Sequence, residues 1–238
     1  MSTACWRTGG VVGVTNGVAA PGAAAIDHVV WAVPDLAAAA AELTRATGDM
    51  PSGGGVHPVW GTRNVIFAAG HSYLELITVQ DPDVARGTAF GRRVRDVAAH
   101  GGGLAMWAVR LPDLAAVADR LSLVPVAGTR LADDGQLLTW STAGTEEAAV
   151  SGLPFFISWT EGLPPHALGR ASLPATRLAS LTTSDEPEQL RAWIGEALPG
   201  VRHTSGHGGL ESIVLSTGFG EVELPGNRGP GRPRAPRT

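Results

Sequence analysis

Ile26-Asp-His-Val-Val-Trp-Ala-Val-Pro-Asp-Leu36 is an apolar, β-branched run closed by Pro-Asp-Leu, and Leu104-Ala-Met-Trp-Ala-Val-Arg-Leu-Pro-Asp-Leu114 repeats that order further down the chain. Such a run predicts a strand, which proline ends because it has no N–H for a sheet ladder. The Ala-rich segments that follow, to Leu43 and Leu121, predict helices with Asp35 and Asp113 as caps or first-turn acids. In the first helix Leu36, Ala39, Ala40 and Leu43 share one face. Chance matches alanines in an Ala-rich chain. It does not give strand–Pro-Asp-Leu–helix twice, so the stretches begin two copies of one supersecondary unit.

Each copy continues with strands: Arg63–Ala68 and Tyr73–Val79 in the first, then 124–130, 136–142 and Phe155–Thr160 in the second. Both copies are read on one strand–helix–strand–strand–strand plan, with two of the three later strands located in the first. Ala85–Ala99 reads as a connecting helix stopped by Gly101-Gly-Gly103. Beyond them Arg177–Thr183 predicts a strand and Ser184-Asp185 a helix start, with Pro187 in the first turn. Leu190, Trp193, Ile194, Ala197 and Leu198 form its apolar stripe, and a hairpin over residues 211–224 follows. The expected organisation is a flexible leader over residues 1–25, a double βαβββ unit over 26–162, a βαββ subdomain over 163–225, and a Pro/Gly/Arg-rich tail over 226–238 that cannot offset its own ordering entropy.

With 238 residues, 44% hydrophobic and 17% charged, the chain has ample material for a core and is not a disordered polymer. A single cysteine, Cys5, excludes a disulfide scaffold and any Cys-based zinc or iron–sulfur site. All 18 basic residues are arginines, so a Schiff-base lysine and a P-loop lysine are excluded. Net charge −4 argues against nucleic acid as a partner. No run approaches the ~20 apolar residues of a membrane helix, and glycines interrupt any signal-peptide core near the N-terminus. A cytoplasmic protein with no membrane partner is expected.

Ile26–Leu36, His57-Pro-Val-Trp-Gly-Thr-Arg-Asn64 and Tyr73-Leu-Glu-Leu-Ile77 together resemble the glyoxalase-like domains of the vicinal oxygen chelate superfamily. The stretches around Phe90-Gly-Arg, 101–108 and Leu153–Trp159 add to the resemblance, which covers about residues 26–162. It implies an α+β fold of the glyoxalase/dihydroxybiphenyl dioxygenase kind, with paired modules whose mixed sheet forms a cup around a small-molecule site. A homodimer is compatible with that fold. Chemistry is not implied, because the superfamily hosts many reactions.

In metal-dependent members each module supplies a His and a Glu from its first and last strands. By that resemblance His28 and Glu75 match the ligand positions of module one, and such a pair suits Zn, Fe, Ni or Mn. In module two, alignment at Pro112 puts Met106 opposite His28, and matching Tyr73-Leu-Glu-Leu to Phe156-Ile-Ser-Trp puts Ser158 opposite Glu75. A thioether and a hydroxyl do not complete a divalent site, so no cofactor is expected.

What remains is a polar pair on an apolar wall. A carboxylate among Leu74, Leu76 and Ile77 is costly unless paired, either by an arginine such as Arg63 or by a role in the cup. Glu75 is the candidate base, with His28, His57 and Arg63 to stabilise a developing oxyanion. The Gly-rich loop before Asn64 adds Trp60 and Asn64, and with Arg63 it suits an anionic or carbonyl-bearing ligand. Met106, Trp107, Trp140, Phe155 and Trp159 are expected to line the cup, although core packing would also explain each. The expected function is proton-transfer, isomerase or lyase chemistry on a small organic substrate. The rivals are a non-catalytic sequestering protein and a metal-dependent enzyme using His28 and Glu75.

Overall fold

The computed structural model describes residues 23–131, 135, 137–161, 175–206 and 208–226. The leader up to residue 22, the tail after 226, and His207 lie outside the described residues. The first copy runs β1 (Ala25–Ala32), α1 (Leu36–Thr47), β2 (Gly54–His57), β3 (Thr62–Ala69) and β4 (Ser72–Val79). The second runs β5 (Gly103–Arg110), α4 (Leu114–Leu121), β6 (Val126–Leu131), β7 (Leu137–Ala143) and β8 (Phe155–Glu161). The expected caps form: Asp35 and Asp113 each accept a backbone N–H three residues on, from Ala38 and Ala116, at 3.0 Å.

The eight strands make one curled mixed sheet in the order β2-β3-β4-β1-β5-β8-β7-β6, so the copies join along β1 and β5. Strand alternation gives the sheet two apolar faces. On the outer face Val29, Leu74, Leu76, Trp107 and Phe156 pack in one core with Leu36, Leu43 and Leu114 of the flanking helices. That core continues into a four-stranded sheet, order β10-β9-β11-β12, through Leu181, Ile213, Leu215 and Leu224. Its strands are β9 (Arg177–Thr183), β10 (Val201–His203), β11 (Leu210–Thr217) and β12 (Gly220–Pro225), with α6 (Pro187–Ile194) after β9. The short β10 exceeds the expected βαββ pattern; it pairs parallel to β9.

On the concave face Val30, Ala32, Ile77, Met106 and Ala108 are covered by Phe90, Val94 and Val97. These belong to α3 (Ala89–Ala99), which closes one end of the cup. The single connecting helix expected here is two, because Thr88 breaks away from α2 (Pro82–Gly87) to cap α3. A helix not foreseen from sequence, α5 (Thr145–Ser151), brings Glu146 to the start of α3, where Oε2 accepts the Ala89 N–H at 2.5 Å.

Gly91 is what lets α3 sit this close. A Cβ there would stand 2.5 Å from the Ala85 carbonyl oxygen and 2.8 Å from that of Trp60, both backbone atoms that cannot swing aside. Gly91→Ala is therefore expected to cost about 1–3 kcal/mol. A lowered midpoint with an unchanged slope in urea denaturation would register it.

Candidate functional site

Where β1 meets β5 the register slips: Ile26 pairs with Val109, His28 with Ala108, and Asp27 is the extra residue between them. A bulge of this kind re-aims a side chain. Asp27 is fully buried, and its carboxylate is answered from both modules. Oδ2 accepts from Arg110 Nη1 on β5 and from Trp159 Nε1 on β8, each at 3.1 Å, while Oδ1 lies 2.8 Å from His28 Nδ1. Burial alone would raise the Asp27 carboxyl, but the His28 hydrogen bond, the His28 and Arg110 charges and the Trp159 N–H outweigh it and hold it below its usual value. An ionised carboxylate only accepts, so His28 carries its proton on Nδ1. Its Nε2 then faces Glu75, 3.5 Å from Oε2.

Glu75 lies on β4, where it pairs with Val30, and is almost wholly buried. Its Oε1 accepts from Asn64 Nδ2 at 2.5 Å, and Asn64 is oriented in turn by the Gly55 N–H, which donates to Oδ1 at 2.8 Å. His57 approaches from the edge with Nε2 4.0 Å from Glu75 Oε1 and Nδ1 3.2 Å from the Thr62 hydroxyl. The stretch expected as a Gly-rich loop is thus partly strand β2, and that pairing turns His57 inward while Val56 is exposed. Tyr73 stacks on His28, with centroids 4.5 Å apart, and Phe155 meets its edge at 5.3 Å.

These groups form one wall of a cleft whose space, open solvent at the mouth included, is about 520 Å³. The facing wall is Trp140, Thr142, Phe155, Ile157 and Trp159 of module two, and Trp60 stacked on Phe90 closes a side at 4.6 Å. Eight residues anticipated for the site therefore line it: His28, His57, Trp60, Asn64, Glu75, Trp140, Phe155 and Trp159.

Three do not. Arg63 is exposed, because alternation on β3 turns its neighbour Asn64 inward and Arg63 out. Met106 and Trp107 are consecutive on β5 and cannot both face the cup. Trp107 points into the outer core, and Met106 lies on the concave face but beneath the side chains of α3. Tyr73, Phe90 and Asp27 complete the site without having been anticipated. The one sequence signal for Asp27 was an acidic residue inside an otherwise apolar strand.

The strand pairing also tests the repeat. His28↔Ala108 and Val30↔Met106 are the reciprocal pairs that a two-fold relation aligned at Pro34 and Pro112 requires, so Met106 does stand opposite His28. Ser158 does not stand opposite Glu75. Glu75 pairs with Val30, and the equivalent partner of Ala108 is Phe155. Module two thus presents a thioether and a phenyl ring where module one presents imidazole and carboxylate. Among the described residues no group of three or more His, Cys, Asp or Glu side chains is arranged to hold a metal ion. No described helix is long and apolar enough to cross a membrane.

Residues 26–198 match the glyoxalase-like domain family, well past the stretch that carried the resemblance in sequence. Among solved structures, a hypothetical protein from Staphylococcus aureus aligns over 84% of this chain and 84% of its own, at 16% identity and a TM-score of 0.57, which shows a shared fold. Methylmalonyl-CoA epimerase from Mycobacterium tuberculosis aligns over 58% of this chain and 89% of its own, at 18% identity and a TM-score of 0.40. The epimerase of Streptomyces coelicolor in complex with 2-nitronate-propionyl-CoA aligns over 58% and 98%, at 20% and 0.39. No curated protein matches the chain.

Proposed function

The chain belongs to the glyoxalase-like domain family of the vicinal oxygen chelate superfamily, and from that premise we propose that it catalyses proton transfer next to the carbonyl of a small organic substrate. One observation carries the reading. Glu75 is held by Asn64 on one oxygen, while its other oxygen faces an imidazole that Asp27 has already oriented, and both open onto an aromatic cavity. Such a carboxylate is pre-positioned to take a proton from a carbon acid, and geometry of this kind contributes through orientation as much as through basicity.

In the reaction Glu75 Oε2 removes the proton α to the carbonyl, and the electron pair moves into the enolate. His28 Nε2 takes that proton over, and the imidazolium so formed is stabilised by Asp27. Once Glu75 has taken the proton and lost its charge, His57 Nε2, 4.0 Å from it, is the lining group that turns to the enolate oxygen, the role that Arg63 cannot fill from outside the cavity. Return of the proton to a different carbon or face completes an isomerisation. An isomerase needs no group to activate a departing fragment, which favours it over a lyase.

The residues present do not fit the four-ligand metal site of metal-dependent relatives, since Met106 and Phe155 fill two of the four positions. The proposal therefore rests on side chains alone, and elemental analysis of untagged protein showing a stoichiometric divalent metal would overturn that part.

The apolar half of the cup favours one rival, a protein that only sequesters its ligand. Deuterium uptake separates the two. Incubated in D2O with phenylacetone, the protein is expected to replace the hydrogens next to the carbonyl about 100-fold or more faster than buffer, by proton NMR. Binding without exchange would establish the sequestering reading instead.

A further inference from the structure

The cavity has aromatic walls and one carboxylate, and among the described residues no arginine lines it. Arg63 is exposed on the far side of β3, and Arg110 is bound to Asp27 behind the cavity wall. The groups on the described lining that can become positively charged are His28 and His57, and both rings face Glu75, at 3.5 and 4.0 Å. Any positive charge they gain is directed to that carboxylate first. An anionic ligand in the cup would thus meet a like charge with no fixed counter-ion among the described residues, in a space walled largely by aromatic rings.

The opposite wall has the complementary character. Trp140 and Trp159 lie with centroids 5.5 Å apart at an angle of 52°, and Trp159 is pinned by its hydrogen bond to Asp27. Indole faces held in this way stack on flat rings and attract cations.

We propose that the cup selects its ligand by charge: it admits a flat aromatic carbonyl compound that is neutral or carries a cationic group, and rejects one carrying a carboxylate or phosphate. The inference rests on the reading that the cup binds a carbonyl-bearing small molecule, and it narrows the substrate class. Carboxylate rejection replaces the anionic ligand that Arg63, had it faced inward, would have favoured.

The test is a matched series measured by calorimetry on the full chain: phenylacetone, its para-trimethylammonium derivative, and phenylpyruvate, in which a carboxylate replaces the methyl group. The neutral and cationic ketones are expected to bind at least about tenfold more tightly than phenylpyruvate. Glu75→Gln should close that gap to within about threefold while phenylacetone still binds, which also reports that the variant is folded. If the variant does not fold, the order on the native chain decides alone.

Equal or tighter binding of phenylpyruvate, an unchanged gap in folded Glu75→Gln, or no binding of any of the three overturns the proposal. Because binding is read without turnover, a correct charge order with no deuterium exchange would sink the proton-transfer reading alone. An inverted order with exchange intact would sink only the charge rule.

Discussion

Glu75→Gln is expected to slow exchange of the hydrogens next to the phenylacetone carbonyl by about 100- to 10,000-fold, the range for loss of a positioned general base. Gln keeps the shape and the oxygen that accepts from Asn64 Nδ2, so the β3–β4 contact should persist and thermal stability should stay near that of the native chain. The amide cannot take a proton, however, and leaves His28 Nε2 without the carboxylate it faces. The decisive comparison is the ratio of effects. A rate loss with ketone affinity preserved places Glu75 in the transition state, whereas equal loss of affinity and rate would reduce it to a ligand contact.

Asp27→Ala should produce the largest change in stability. It strips the acceptor from Arg110, from the Trp159 indole and from His28 Nδ1 at once. Removing one partner of a buried charged network costs about 3–5 kcal/mol, because the others keep the desolvation penalty without their hydrogen bonds. For a chain of this size that is a fall in Tm of roughly 6–20 °C.

Acid should remove the same contribution from the native protein. Asp27 is held below its usual value of 3.8, so its stabilisation is fully present above that value and fades as pH falls through the lower folded-state value. Urea midpoints of native chain and Asp27→Ala should accordingly converge on the acid side of 3.8. A gap that stays constant there would show that the carboxylate contributes only shape.

Asp27→Asn separates positioning from stability. Its amide can offer His28 Nδ1 a donor where the carboxylate only accepts, which favours the other tautomer and blocks Nε2. Exchange should fall while phenylacetone affinity is kept, a split that a merely structural Asp27 would not produce.

Much of the fold was legible in two short stretches. Pro34-Asp35 and Pro112-Asp113 marked both strand ends and both helix caps, and the strands came out within a few residues of expectation. His28 and Glu75 were recoverable because a polar residue on an apolar strand is costly unless it has a purpose. Where the expectation failed, the missing information was non-local. Glycines in 52–55 hid an edge strand whose partner, β3, supplies the pairing. The Ser158 alignment slipped because matching the two final strands residue by residue ignores which residues lie beside β1 and β5.

The sequence by itself determined the module order, the caps and three of the ionisable residues that the first module brings to its concave face, His28, His57 and Glu75. These follow from propensities and periodicities that act within a dozen residues. Only the tertiary structure decided how those residues work. A single extra residue in β1 turns Asp27 toward His28, and the partners that make its buried charge tolerable lie 83 and 132 positions away, at Arg110 and Trp159. Register between distant strands is set by the packing of the whole sheet, and a one-residue slip moves a side chain to the other face. That is why a carboxylate which reads as an oddity in the chain is the group that orients the histidine.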